Sequence, residues 1–191
     1  MTNTTESFDY IVVGAGSAGC ALVNRLSSNP SIKVLLLEAG SNGHFLSRVP
    51  VSFAWLIDNP AANWCYRSEP EAGTNDREIP IPRGKLLGGS SAINGLVHVR
   101  GQQLDYDTWA QFGNCGWSFA DVLPFFKKIE SFEKGESAYR GRSGPLRVSE
   151  VIDHNPIYEQ LFKAGAALGI AQNDDYNGAD QEGLARTQAT I

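Results

Sequence analysis

Two glycine-rich stretches hold the residues of this chain best suited to chemistry. The first, Gly14-Ala15-Gly16-Ser17-Ala18-Gly19, follows an apolar run and opens a helical pattern. The second, Arg83-Gly84-Lys85-Leu86-Leu87-Gly88-Gly89-Ser90-Ser91-Ala92-Ile93-Asn94, joins a Gly-Gly turn to two hydroxyls and an amide. Glycine lets a backbone come close to a ligand, and the free N–H groups at a helix start favour phosphate. One such turn occurs by chance. Two suggest a backbone that approaches a single long cofactor at two places.

The first stretch matches G-x-G-x-x-G between a strand and a helix, the context that gives the match meaning. Gly14 allows the tight turn, Gly16 lets the backbone approach a pyrophosphate, and Gly19 lets the helix pack closely on the sheet. Ser17, Ala18 and Gly19 supply N–H groups at the positive end of the helix. Glu38, followed by Ala39, falls about 20 residues further on, at the end of a second apolar run, where it can accept hydrogen bonds from an adenosine ribose. This motif indicates a dinucleotide and leaves NAD and FAD open.

The elements that must position these residues follow from periodicity. Phe8 to Val13 reads as a buried parallel strand, Ser17 to Ser28 as a helix with Ala18, Ala21, Leu22 and Leu26 inward, and Ile32 to Leu37 as a second buried strand. That is a βαβ start. Ala39 to Pro60 reads as a loop with a short helix. Asn63 to Arg67 and Glu78 to Pro82 read as extended segments joined by a turn at Gly73 to Asp76, with Pro80 and Pro82 confining the second to an edge. Helices are expected over Ser90 to Val97, Leu104 to Phe112, Phe119 to Ser131 (capped by Ser118, with a Leu123, Phe126, Ile129 stripe) and Asn155 to Leu168, the last ended by Gly169. Gly144 to Glu150 reads as a strand, and another begins near Ile191.

Composition narrows the class. The chain has 191 residues and a formal net charge of −5, with Lys127-Lys128 the only adjacent basic pair, read as a solvated helix face. That balance argues against a nucleic-acid binder. No apolar run approaches the ~20 residues that span a bilayer, and the polar opening MTNTTES is no signal peptide. A cytoplasmic setting is the default expectation, with peripheral membrane attachment left open. Three cysteines, Cys20, Cys65 and Cys115, form neither a disulfide framework nor a metal site and are expected to serve packing.

The stretch from Arg83 to Asn94 resembles the signature of the glucose-methanol-choline (GMC) family of flavin oxidoreductases, and the pattern continues from Gly101 to Asp107. FDYIVVGAGSAGCALVNRLS, VLLLEAG, Trp64-Cys65-Tyr66, Gly116-Trp117-Ser118 and GPLRVSE resemble that family as well. The likeness covers nearly the whole chain and is greatest to bacterial choline and alcohol dehydrogenases. It implies FAD, with Leu86, Gly88, Gly89 and Ser90 at the diphosphate and ribityl chain. Asn94, Gly95, Leu96 and Val97 would lie along the flavin end. Arg83 would bring positive charge to the diphosphate or, on the plainer reading, sit in a surface ion pair. Some members attach FAD through a histidine just before the Asn; Ile93 stands there, so non-covalent FAD is expected. His98, where the family usually has an aromatic, reads as a satisfied core or rim residue, with flavin contact as the alternative. His44 and His154 read as surface residues.

The implied fold is α/β: a Rossmann-like FAD-binding βαβ start with appended helices and short strands, the incomplete opening of a two-domain FAD/NAD(P)-binding-type fold. Residues 1–7 are expected to be a disordered tail and 8–191 the N-terminal part of the FAD-binding domain, with the substrate-domain region opening near residue 150. The implied activity is oxidation of a primary alcohol, a hydride passing to flavin N5 and a proton to a histidine late in the family's chain. No position here matches that histidine, so no catalytic residue is assigned. A two-strand βαβ unit also cannot complete a doubly wound sheet, so the chain is expected to be part of a longer protein and inactive alone. The electron acceptor is left open. The alternatives are a fragment of an NAD(P)-dependent dehydrogenase, or a non-catalytic nucleotide-binding remnant.

Overall fold

The computed structural model describes residues 6–191, so most of the expected tail lies outside the described residues. The chain divides into two compact units, Met1–Gly95 and Leu96–Ile191. No helix among the described residues is long and apolar enough to cross a membrane.

The first unit opens with the expected βαβ motif. Strands β1 (Tyr10–Val13) and β2 (Val34–Leu37) pair in parallel, Tyr10 opposite Val34 and Val13 opposite Leu37. Helix α1 (Ser17–Leu26) connects them. A Cβ on Gly19 would lie 1.9 Å from the Gly14 carbonyl oxygen, so only glycine lets α1 sit this close to the end of β1. The half-buried stripe of α1 is Gly19, Cys20, Val23 and Leu26. Of the expected inward residues only Leu26 belongs to it, because the helix axis is set by the Gly19 contact and not by its bulkiest side chains. The strands are less buried than their apolar sequences suggest: Val12 is 8% exposed but Val13 is 81% exposed. Parallel strands need cover on both faces, and this sheet has two strands.

The loop after β2 forms 3-10 turns at Phe45–Arg48 and Pro50–Ser52 and a short helix α2 (Phe53–Leu56). The His44 imidazole caps the first turn, accepting from the Leu46 N–H at 3.2 Å. This segment contributes Leu56 to a core completed by Ala62, Leu86 and Ile93. Strands β3 (Tyr66–Arg67) and β4 (Pro80–Ile81) form the expected antiparallel ribbon, and Asn75 and Asp76 turn left-handed between them. Cys65 is exposed in a left-handed turn (φ 55°) and Cys115 is exposed in a loop, so neither serves packing.

The expected helix over residues 90–97 does not form. A 3-10 turn spans Gly89–Ala92 and stops. The Ser91 hydroxyl donates to the Gly88 carbonyl at 2.7 Å, Ile93 is drawn into the core, and Leu96 is left-handed at φ 64°. That conformation is costly for a branched side chain and ends any helix.

In the second unit, α3 (Gln103–Gln111) and α4 (Phe119–Ile129) each begin with a capping box, Gln102 with Asp105 and Ser118 with Asp121. They pack through Tyr106, whose ring lies 5.5 Å from Phe126 and 6.2 Å from Phe119. The expected helix through Ser131 stops at Ile129, because Glu130–Phe132 becomes strand β5. It pairs in parallel with β6 (Leu146–Glu150), which pairs antiparallel with β7 (Gln188–Ala189). Helix α5 (Ile157–Ala167) ends at left-handed Gly169, as expected.

A buried ionic network explains β5. Glu130, fully buried, accepts hydrogen bonds from Arg140 Nη2 (2.8 Å), Arg140 Nε (3.0 Å) and the Gly141 N–H (2.9 Å). His98 Nε2 lies 3.2 Å from Glu130 Oε1, the oxygen that also accepts from Arg140 Nη2. Arg100 Nη2 is 2.9 Å away as an ion pair, but out of line for a hydrogen bond. Arg140 also reaches Asp175 and Gln188, so two guanidinium groups face two carboxylates. His98 is thus a satisfied rim residue, 15% exposed.

Burial pushes the Glu130 carboxyl upward, but hydrogen bonds to His98, Arg140 and the Gly141 N–H, with the Arg100 charge, prevail and hold it at about 2, below 4.5. A depressed carboxyl stabilises the fold above its unfolded value and loses that contribution as pH falls through its folded one. Glu130→Gln should therefore lower stability by about 3–5 kcal/mol near neutral pH. Urea denaturation at several pH values should show the gap to wild type shrinking as pH drops from 4.5 toward 2. A gap that stays constant over that window contradicts the assignment.

Candidate cofactor-binding site

The two glycine-rich stretches, far apart in sequence, meet in the first unit. The Gly88 N–H donates to the Ala15 carbonyl at 2.8 Å, and Gly16 and Gly88 form a parallel bridge. The Leu87 N–H donates to Ser41 O at 2.9 Å, which lays the second stretch against the segment after β2. This approach needs glycine on both sides. Gly89 sits at φ 58°, and a Cβ there would come within 2.8 Å of the Gly16 Cα. Gly40 would meet the Lys85 carbonyl oxygen at 1.9 Å, and Gly84 the Gly89 oxygen at 2.1 Å. Gly40 was not among the residues expected at the site; the Glu-Ala-Gly sequence after β2 was the available signal.

The cradle faces open space. A Cβ on Gly14 would meet nothing within 4 Å, and one on Gly16 only Gly89 Cα at 4.0 Å. Helix α1 begins at Gly16 with no side-chain cap and no acid in its first turn, so the N–H groups of Ser17, Ala18 and Gly19 keep the positive end of the helix available. Residues of this kind fit a diphosphate.

Glu38 lies where expected, just past the end of β2. Its Oε2 accepts from the Ala15 N–H at 2.7 Å and its Oε1 from the Gly40 N–H at 2.8 Å. A carboxylate has about four lone-pair sites, so two stay free for ribose hydroxyls. Ala39 is exposed beside it. Leu86, also expected at the cofactor, has its side chain fully buried in the core. The Ser90 hydroxyl accepts from the Gly84 N–H at 3.1 Å and keeps its own hydrogen to donate. Arg83 is exposed; its guanidinium donates to Pro82 O at 2.7 Å, with no carboxylate in salt-bridge range among the described residues. Asn94 and Gly95 are exposed at the end of the unit. Leu96 and Val97 belong to the second unit, where Leu96 O accepts from the Thr190 N–H at 2.9 Å and Val97 bridges Ala189.

Strand, glycine turn, uncapped helix, second strand and terminal carboxylate make this a dinucleotide-binding α/β protein. The comparisons carry the identification further. A family description, GMC oxidoreductase, matches residues 8–190. The chain is 46% identical over 184 residues to an oxygen-dependent choline dehydrogenase of Sinorhizobium fredii, covering 95% of this chain and 33% of that protein. It is 43% identical over 192 residues to the Photobacterium profundum protein of the same name, covering 99% and 34%. Among solved structures, pyridoxine 4-oxidase from Mesorbium loti aligns with a TM-score of 0.89 at 32% identity, covering 97% of this chain and 37% of that one. A formate oxidase aligns at 0.83 and 29% identity, covering 98% and 35%. The chain belongs to the GMC oxidoreductase family. It spans about a third of the length of the curated relatives it matches. Family membership implies FAD and gives no support to the NAD(P)-dependent or remnant readings.

The geometry separates two glycines that sequence alone treats alike. Gly16→Val points its side chain into the open cradle, so the variant should keep the wild-type thermal midpoint and circular dichroism yet fail to bind FAD in a fluorescence-quenching titration. Gly89→Val collides with Gly16 and is strained at φ 58°, so it should lower the midpoint as well. Equal thermal behaviour of the two variants would contradict this packing.

Proposed function

We propose that this chain forms the FAD-holding part of a flavoenzyme that oxidises primary alcohols, as the choline dehydrogenase relatives do by name. The observation that supports it most is the joining of two glycine-rich loops into one open cradle at an uncapped helix start. Ser17, Ala18 and Gly19, with Gly88, Gly89 and Ser90 opposite, would hold the diphosphate. Glu38 would take the adenosine ribose, and Arg83 would add positive charge. Asn94, Gly95, Leu96 and Val97 are the residues proposed for the flavin end. The segment from about residue 150 would open the substrate-facing part.

Bound FAD supplies the acceptor for the two electrons that leave the alcohol carbon. The part of this chain is to bind and orient it. We take the attachment to be non-covalent, because Ile93, next to Asn94, carries no nucleophile and is buried in the core. Acid precipitation of the FAD complex should then leave all the yellow colour in the supernatant; flavin retained in the pellet would refute this.

Glu38 gives the most direct test. A hydrogen bond to a charged group contributes on the order of 1.5–3 kcal/mol. Glu38→Ala should weaken FAD binding by roughly 10- to 150-fold. Calorimetric titration of wild type and variant measures it, and an unchanged dissociation constant would remove Glu38 from the site.

A further inference from the structure

Asn63 belongs to neither glycine-rich stretch, yet its side chain is among the most completely used polar groups in the first unit. It is 3% exposed. Its Oδ1 accepts from the Arg83 N–H at 2.8 Å and from the Cys65 N–H at 3.1 Å. Its Nδ2 donates to the Ile57 carbonyl. Its backbone bridges Gly84, while the flanking residues add two more ties: the Trp64 N–H donates to Arg83 O at 2.9 Å and the Lys85 N–H to Ala62 O at 2.8 Å. One amide thus joins the α2 segment, the start of the ribbon and the entrance of the second glycine-rich stretch.

This has consequences at the cradle. Arg83 is exposed, and among the described residues its guanidinium donates to the neighbouring Pro82 carbonyl. That bond ties the guanidinium to its own segment, so no contact with another segment of the described residues fixes where its charge points. The position of its backbone does, and Asn63 Oδ1 takes the Arg83 N–H. The next residue, Gly84, receives its own restraint from Ser90. Buried Asn63 therefore determines where the chain enters the cradle, and the Arg83 charge follows.

We propose that Asn63 is a positioning residue for the cofactor, acting through Arg83; this rests on the FAD reading above. The test is FAD titration at several salt concentrations with wild type, Asn63→Leu, Arg83→Met and the double variant. Leucine matches asparagine in size but cannot accept the Arg83 N–H. Asn63→Leu should weaken FAD binding about tenfold, the order expected for a lost hydrogen bond to a placed charge. It should also flatten the salt dependence to that of Arg83→Met, because a misplaced charge no longer contributes a screened attraction. Adding Arg83→Met to Asn63→Leu should then change little, the non-additivity of residues acting as a unit.

A merely structural role would lower the thermal midpoint but leave the salt dependence intact and the two substitutions additive, and that result overturns the proposal. Failure of wild type to bind FAD at all would instead overturn the functional reading and this inference with it. Should Asn63→Leu not fold, amide hydrogen exchange of the wild-type chain decides. The Arg83 amide should exchange slowly and be slowed further by FAD. Fast exchange there, or no response to FAD, refutes the positioning role.

Discussion

The first unit depends on the backbone of a single residue, Ala15. Its N–H donates to Glu38 at 2.7 Å, and its carbonyl accepts from the Gly88 N–H at 2.8 Å and from the Cys20 thiol at 3.2 Å. Ala15 is fully buried, so each of these polar atoms would be costly to leave unpaired. One residue thereby ties β1, the start of α1, the end of β2 and the second glycine-rich stretch. Both loops owe their separation to it. Glu38 is held by the loop it is meant to serve, so the ribose acceptor and the phosphate cradle keep a fixed relation.

What the helix lacks is as informative as what it has. Most helices satisfy their first N–H groups with a Ser, Thr, Asn or Asp cap, and α3 and α4 use capping boxes. Helix α1 begins at glycine with no cap and no acid in its first turn. A cap there would fill the cradle with the chain's own oxygen and cancel the positive end of the dipole. The unit thus keeps a stabilising interaction unmade where a diphosphate can make it, which fits a binding role. The same trade appears at Gly16, where a side chain would fit without a clash but would fill the open face of the cradle.

The βαβ start, the ribbon, most helices and the family were legible in the sequence, because each rests on local signals: glycine turns, caps and periodicity. Ser118 announced α4 and Gly169 ended α5. What was not legible depends on long-range partners. Nothing near Glu130 says that it leaves the helix to form β5; Arg100, Arg140 and His98 decide that from a distance. Helical propensity after Gly89 lost to the burial of Ile93 and to the bond between Leu96 and Thr190. The burial of the Leu86 side chain was not legible for the same reason. Its backbone lies in the motif, but its side chain completes a core whose other members are scattered through the unit.

The two units are stabilised by opposite means, and this bears on how the cofactor site can be perturbed. In the first, adjoining segments touch backbone to backbone through glycines, and the deciding interactions are backbone hydrogen bonds, two of them to the Glu38 carboxylate, and steric fit. In the second, a buried set of two guanidinium groups and two carboxylates holds the sheet, and one partner removed leaves a charge without compensation. As pH falls from 4.5 toward 2, the second unit should therefore lose the contribution of Glu130. The cradle should respond chiefly to changes of volume at Gly84, Gly89 and Gly40.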